Sequence, residues 1–167
     1  GNRPLRIPFV IPDRNSRNRD AGNCDVAVRA NLRSFAAMKT ALIAGASGLV
    51  GRELLAQLLA APEYDRVVAM GRRAVPVTHP KLRQEIVDFA ALEQNGADLR
   101  CDDAFCCLGT TIRVAGSREN FRAVDHGAVL AFAWAARRNG AGRFFVVSAL
   151  GADPASRIFY NRVKGET

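Results

Sequence analysis

No apolar run in this sequence approaches the roughly 18 residues that cross a bilayer as a helix. The opening stretch, GNRPLRIPFVIPDRNSRNRD, also lacks the continuous apolar segment of about 7–15 residues that marks a secretory signal. A cytoplasmic location is the default expectation. Aromatic residues are only 7% of the chain, so a core has to be assembled mainly from Ala, Leu and Val. Cysteine is sparse and unpatterned. Cys24, Cys101, Cys106 and Cys107 form no C-x-x-C, and they show no metal-like spacing with His79 or His126. Cys106 and Cys107 sit within the apolar run AFCCLG, where a strand would point them to opposite faces, and they read as small buried hydrophobes. Lysine is scarce too: three residues, against 21 arginines.

What is present is a 167-residue chain with 49% apolar residues, enough for one domain with a sizeable core and too many for a disordered protein. The net charge of +8 suggests nucleic acid, but its distribution argues against that partner. Residues 1–37 carry 7 Arg and 3 Asp, so half of the excess lies on a short leader, and no basic stripe on a recognisable module follows. The composition changes at Met38. Residues 1–37 hold scattered Pro, Arg and Asn without a sustained period, and are expected to be a poorly ordered leader, disordered or partly helical around VAVRANLRSFAAM. Residues 38–167 are dense and patterned.

From Met38 onward, short β-type runs alternate with helical segments. Strands are expected at Thr40–Ala44, Arg66–Met70, Gln84–Asp88, Ala104–Leu108 and Arg143–Ser148. All are apolar and largely unalternating, as in strands buried on both faces. Helices are expected at Leu49–Ala60 and Ser117–Asn139, the second closing on Arg137-Arg138-Asn139-Gly140. The alternation predicts an α/β fold, a doubly wound parallel sheet with helices on both faces.

The turn between the first strand and the first helix reads Gly45-Ala46-Ser47-Gly48-Leu49-Val50-Gly51. Gly45 permits the tight turn, Gly48 lets a pyrophosphate approach the backbone, and Gly51 allows close packing of helix on strand. The helix N-terminus at Leu49 and Val50 then presents unpaired N–H groups to phosphate. The spacing is G-x-x-G-x-x-G, and its context between strand and helix points to a dinucleotide; a purely structural turn is the alternative. The second strand ends in Gly71-Arg72-Arg73, where an NAD site carries Asp or Glu. Two guanidinium groups suit a 2′-phosphate, so NADP(H) is expected over NAD(H), unless both arginines are merely solvated. Asp88, ending the third strand, is a candidate acceptor for the adenine amino group, or a plain strand-end cap.

Tyr160 and Lys164 lie four apart, on one face of a helix. An ammonium beside a phenol stabilises the phenolate, and such a Tyr can exchange a proton with a carbonyl or alcohol as hydride moves. Ser148 ends a strand, where open α/β sheets place ligands, and its hydroxyl can polarise the same oxygen. The alternative is an ordinary surface helix pair.

GASGLVG, GRR, FCCLGTT, VVSALGADP and YNRVKGE together resemble the short-chain dehydrogenase/reductase superfamily, in its atypical Tat-interacting-protein-type branch. The resemblance covers Met38 to Thr167. It implies a Rossmann sheet in the order 3-2-1-4-5 and NADP(H) held by the turn (Gly45, Ser47, Gly48, Leu49, Val50, Gly51). It further implies Arg72 and Arg73 near the 2′-phosphate, with Leu108, Gly109 and Thr110 lining the nicotinamide side. Ser148, Tyr160 and Lys164 become the catalytic set, with Lys164 also bonding the nicotinamide ribose. Many superfamily members carry an Asn in the long helix; here that region reads Ala123-Val124-Asp125-His126. The chain stops three residues after Lys164, so it is expected to be the cofactor-binding portion of a longer protein. Two functions stay in view. One is an oxidoreductase acting on a small carbonyl or alcohol; the other is an NADP(H)-binding regulatory module that signals to a protein partner without turnover.

Overall fold

The computed structural model describes residues 38–92 and 99–167; the expected leader at 1–37, with Cys24, lies outside the described residues. Five parallel strands, β1 (Lys39–Ala44), β2 (Tyr64–Gly71), β3 (Leu82–Ile86), β4 (Asp103–Cys106) and β5 (Arg143–Val146), form one sheet in the order β3-β2-β1-β4-β5. This is the Rossmann order, and the chain reverses its direction of winding between β1 and β4.

The alternation of side chains along β1 supplies both cores. Ala41 and Ile43 face α1 (Leu49–Ala60), meeting Leu55, Leu58 and Leu59. Leu42 and Ala44 face the opposite layer, meeting Phe132 and Val129 of α4 (Val129–Arg138). All four β1 residues are fully buried, which is why this strand reads as an unbroken apolar run. Helix α1 stops where Ala61 precedes Pro62, a residue pair that disfavours helical backbone.

The expected long helix over 117–139 is a composite. Two short helices, α2 (Ile112–Ala115) and α3 (Arg118–Arg122), are capped by the Thr111 and Ser117 hydroxyls, which accept from Val114 N and Asn120 N at 3.2 and 3.0 Å. A π-helical segment, Ala123–Ala128, then leads into α4. The periodicity of Phe121, Val124 and Ala128 carries no mark of that wider turn.

Burial on both faces fails for β3, none of whose residues is buried, and for β5, all four residues of which are exposed. Phe145 stacks on Phe105 of β4, with ring centroids 5.0 Å apart, but β5 is the sheet edge. At the opposite end of the strands, Asp103 is buried against Arg143 Nε and Nη2, both at 2.6 Å, and accepts from the Tyr64 hydroxyl at 2.7 Å. Arg143 holds the Asp103 carboxyl below its ordinary range, and burial pushes the Tyr64 phenol up to about 12.

Candidate functional site

The carboxyl ends of β1, β2 and β4 open onto a cleft of about 310 Å³. The glycine turn forms its floor. Gly45 has φ +83°, and a Cβ there would lie 2.5 Å from the Cys107 carbonyl oxygen, so both conformation and space demand glycine. A Cβ on Gly51 would collide with the Gly45 carbonyl, which is how the first turn of α1 packs against the loop. Gly48 N–H donates to Gly45 O at 3.0 Å, and the helical ladder begins with Arg52 N to Gly48 O at 3.0 Å. Among the described residues no side chain caps α1, and no acidic residue sits in its first turn. The amides of Leu49, Val50 and Gly51 are thereby left as unspent donors at the positive end of the helix.

One wall carries Gly71, Arg72 and Arg73 from the end of β2. Gln84 secures this wall: its side chain accepts from Val75 N at 2.7 Å and donates to Val75 O and Val77 O at 3.2 and 3.1 Å. The sequence reading missed Gln84, which lies between two charged residues, Arg83 and Glu85, in β3 and carries no local signal of this role. Arg72 and Arg73 are exposed, and neither makes an ion pair among the described residues. Asp88 also borders the cleft, two residues beyond β3, and its Oδ1 accepts from Ala90 N at 3.0 Å. It therefore caps the short 3₁₀ turn Phe89–Ala91 and keeps Oδ2 available.

Ser47, Leu108 and Gly109 line the same cleft; Leu49, Val50, Gly51 and Thr110 are not among its lining residues. Cys107 is half-buried in the cleft wall, whereas Cys106 belongs to the core, where burial pushes its thiol up to about 11. A second cavity, about 570 Å³ and mostly apolar, lies between α1 and the loop Val75–His79. Of the glycine turn it touches only Ala46 and Ser47, and none of the three glycines.

The proposed proton-transfer residues sit on a separate shelf. Helix α5 (Phe159–Glu166) packs on Phe121, whose ring lies 5.8 Å from that of Phe159 and 5.5 Å from that of Tyr160. Val163 is fully buried, and a Cβ on Gly165 would strike the Asp153–Pro154 backbone. Lys164 is buried, its ammonium 2.7 Å from Asp125 Oδ1. A Cβ on Gly109 would lie 3.6 Å from that ammonium, which puts Lys164 directly behind the Leu108–Thr110 wall. Tyr160 is half-buried, and Ser148 is exposed two residues past β5. No hydrogen bond joins Ser148, Tyr160 and Lys164 to one another among the described residues. The residue that sequence reasoning passed over is Asp125, fully buried and joined to Lys164 across 39 positions of sequence.

A nicotinamide dinucleotide fits these features. The positive-φ glycine cradle, the unspent amides and the unpaired guanidinium groups meet around one cleft of suitable size.

Comparison with known proteins agrees. Residues 41–157 match the model of the NAD dependent epimerase/dehydratase family. The rat protein HTATIP2 is 38% identical over 132 residues, spanning 77% of this chain and 54% of that protein. The mitochondrial protein FMP52 of Eremothecium gossypii is 33% identical over 126 residues, spanning 75% and 56%. The chain thus spans about half the length of these curated relatives. Among solved structures, uronate dehydrogenase from Agrobacterium tumefaciens superposes with a TM-score of 0.61 at 22% identity, over 77% of this chain and 52% of that one. The likeness establishes the shared fold.

The cytoplasmic expectation is overturned by the FMP52 relatives, which are named as mitochondrial in several fungi. The missing apolar run excluded only a secretory signal, because mitochondrial targeting segments are amphipathic and Arg-rich and contain no such run. Among the described residues no helix is long and apolar enough to cross a membrane. With its 3-2-1-4-5 sheet, its glycine turn and the family match over residues 41–157, this chain belongs to the NAD dependent epimerase/dehydratase family, in the atypical NAD(P)-binding branch of the short-chain dehydrogenases/reductases.

Proposed function

We propose that the chain holds NADP(H) in this cleft and is the cofactor-binding part of an oxidoreductase acting on a small carbonyl or alcohol. The observation that carries the cofactor choice is the end of β2. Arg72 and Arg73 border the cleft unpaired, at the position where a 2′-OH reader would need a carboxylate. The Leu49, Val50 and Gly51 amides hold the pyrophosphate, with Gly45 and Gly48 allowing its approach and Ser47 beside it. Asp88 Oδ2 accepts from the adenine amino group, while Leu108, Gly109 and Thr110 border the nicotinamide.

The cofactor supplies hydride when bound. The chain's own part is proton handling. Tyr160 Oη gives a proton to the carbonyl oxygen or takes one from the alcohol, Lys164 bonds the nicotinamide ribose, and Ser148 Oγ polarises the substrate oxygen.

NADPH oxidation against a panel of aldehydes and ketones tests this reading, in a chain of the relatives' length. Turnover that vanishes in Tyr160→Phe while NADPH binding persists supports it. Tight NADPH binding without turnover on any substrate would favour the regulatory module, signalling through a protein partner. A Tyr160→Phe variant working at the parental rate would remove Tyr160 from the chemistry.

A further inference from the structure

Asp125 is the most deeply buried charged residue on the nicotinamide side, and it has three links. Its Oδ1 meets the Lys164 ammonium at 2.7 Å, its Oδ2 accepts from Thr110 N at 2.9 Å, and its backbone carbonyl accepts from the Thr167 hydroxyl at 3.0 Å. Each carboxylate oxygen thus faces a different piece of the site: Oδ2 accepts the Thr110 hydrogen bond, and Oδ1 meets Lys164 as an ion pair, with no hydrogen bond among the described residues. Lys164 belongs to α5 and Thr110 to the loop after β4, two segments that the sheet alone leaves independent. The Asp125 side chain comes from the π-helical segment that joins α3 to α4. Such turns re-aim a side chain that a regular helix would point elsewhere. A second, outer tie runs parallel to the first: Arg122 Nη1 meets Glu166 Oε2 at 2.5 Å.

Burying a carboxylate and an ammonium together is costly, and an apolar pair of like volume would stabilise the fold as well or better. Packing alone therefore does not account for the pair. A carboxylate can accept from both sides at once, whereas an amide has a single acceptor oxygen and must leave either Lys164 or Thr110 unserved.

We propose that Asp125 is a positioning residue: it locks the Lys164 ammonium and the Thr110 wall in one fixed relation, so that the nicotinamide half of the cleft is pre-formed before cofactor arrives. The proposal rests on the NADP(H) reading above. It predicts an effect confined to one half of the cofactor, since Arg72, Arg73 and the glycine turn touch none of these atoms.

The test compares NADPH with adenosine 2′,5′-bisphosphate, which carries the adenosine half alone, in the parent, Asp125→Asn, Lys164→Gln and the double variant. Asp125→Asn should lose about tenfold in NADPH affinity, because the buried Lys164 ammonium loses its counter-charge, with bisphosphate affinity unchanged. The double variant should bind NADPH no worse than Lys164→Gln, because the single Asn oxygen can then serve Thr110. Parental NADPH affinity in Asp125→Asn overturns the proposal, as does an equal loss of both ligands. If Asp125→Asn fails to fold, the uncharged double variant decides, and any loss beyond that of Lys164→Gln counts against the lock. The failure of the cofactor reading looks different, because a parent that binds neither ligand refutes it. The three lysines then permit an independent measurement, the nitrogen-15 ammonium resonances. A Lys164 ammonium and a Thr110 amide that both shift in Asp125→Asn support the lock, and two unmoved signals overturn it.

Discussion

Cofactor choice is the property most directly written into the cleft, and removing both guanidinium groups at once, in Arg72→Ala/Arg73→Ala, probes it. Both side chains stand at the rim, exposed and free of carboxylate partners among the described residues, so no internal pair is broken by their loss. Exposure also limits their worth. A guanidinium–phosphate contact gains from charge and paired donors, but at a solvated rim its net value falls to roughly 1 kcal/mol. Two such contacts correspond to a loss of about 30-fold for NADPH, taking 1.4 kcal/mol per decade. NADH has no 2′-phosphate and should change by less than about twofold. Both affinities can be read by calorimetric or fluorescence titration. Because the contacts are solvated, raising the salt from low ionic strength to about 1 M, where the screening length is near 3 Å, should weaken NADPH far more than NADH. Equal affinity of the parent for both cofactors, or equal losses for both in the double variant, would refute the reasoning.

Gly45→Ala should lower stability by about 2 kcal/mol or more in denaturant unfolding, since it forces a side chain into positive φ and against the Cys107 carbonyl; an unchanged midpoint would mean that the turn relaxes freely. Acid unfolding should report Asp103, whose folded pKa lies below its unfolded value. Its stabilisation is present above the unfolded value and is lost as pH falls through the folded one. Arg143→Ala should move that acid transition to higher pH, and an unmoved transition would show that the pair contributes nothing. Deleting residues 1–37 should leave the thermal midpoint within a few degrees, as expected of a segment without a sustained apolar period; a large fall would show that it docks on the domain.

Much of the architecture was legible before any coordinates. The expected strands lie within two residues of β1 to β5 at every boundary, and Leu49–Ala60 is the observed α1. Local signals suffice for β1, β2 and β4, where a strand covered on both faces must be largely apolar, and for the glycine turn, which must lie where strand passes into helix. Cys106 and Cys107 were both expected as small buried hydrophobes on opposite faces; this holds for Cys106, whereas Cys107, one residue past β4, is half-buried in the cleft wall.

Tertiary placement decided the remainder. An apolar composition made β5 look interior, yet strand composition does not say whether a neighbour lies beyond, and here β5 is the edge. Helical periodicity joined Ser117 to Asn139 but could not show the wider turn that re-aims Asp125. The Tyr160 and Lys164 spacing was readable because four residues return to the same helix face. The partner that occupies Lys164 was not, since no local rule couples residues 39 positions apart. Local stereochemistry along the chain determined the sheet, the turn and the residue types at its mouth. Only the folding of π-segment, loop and helix onto one another decided which charges were buried together, because burial and Coulomb pairing depend on distance in space and not along the sequence.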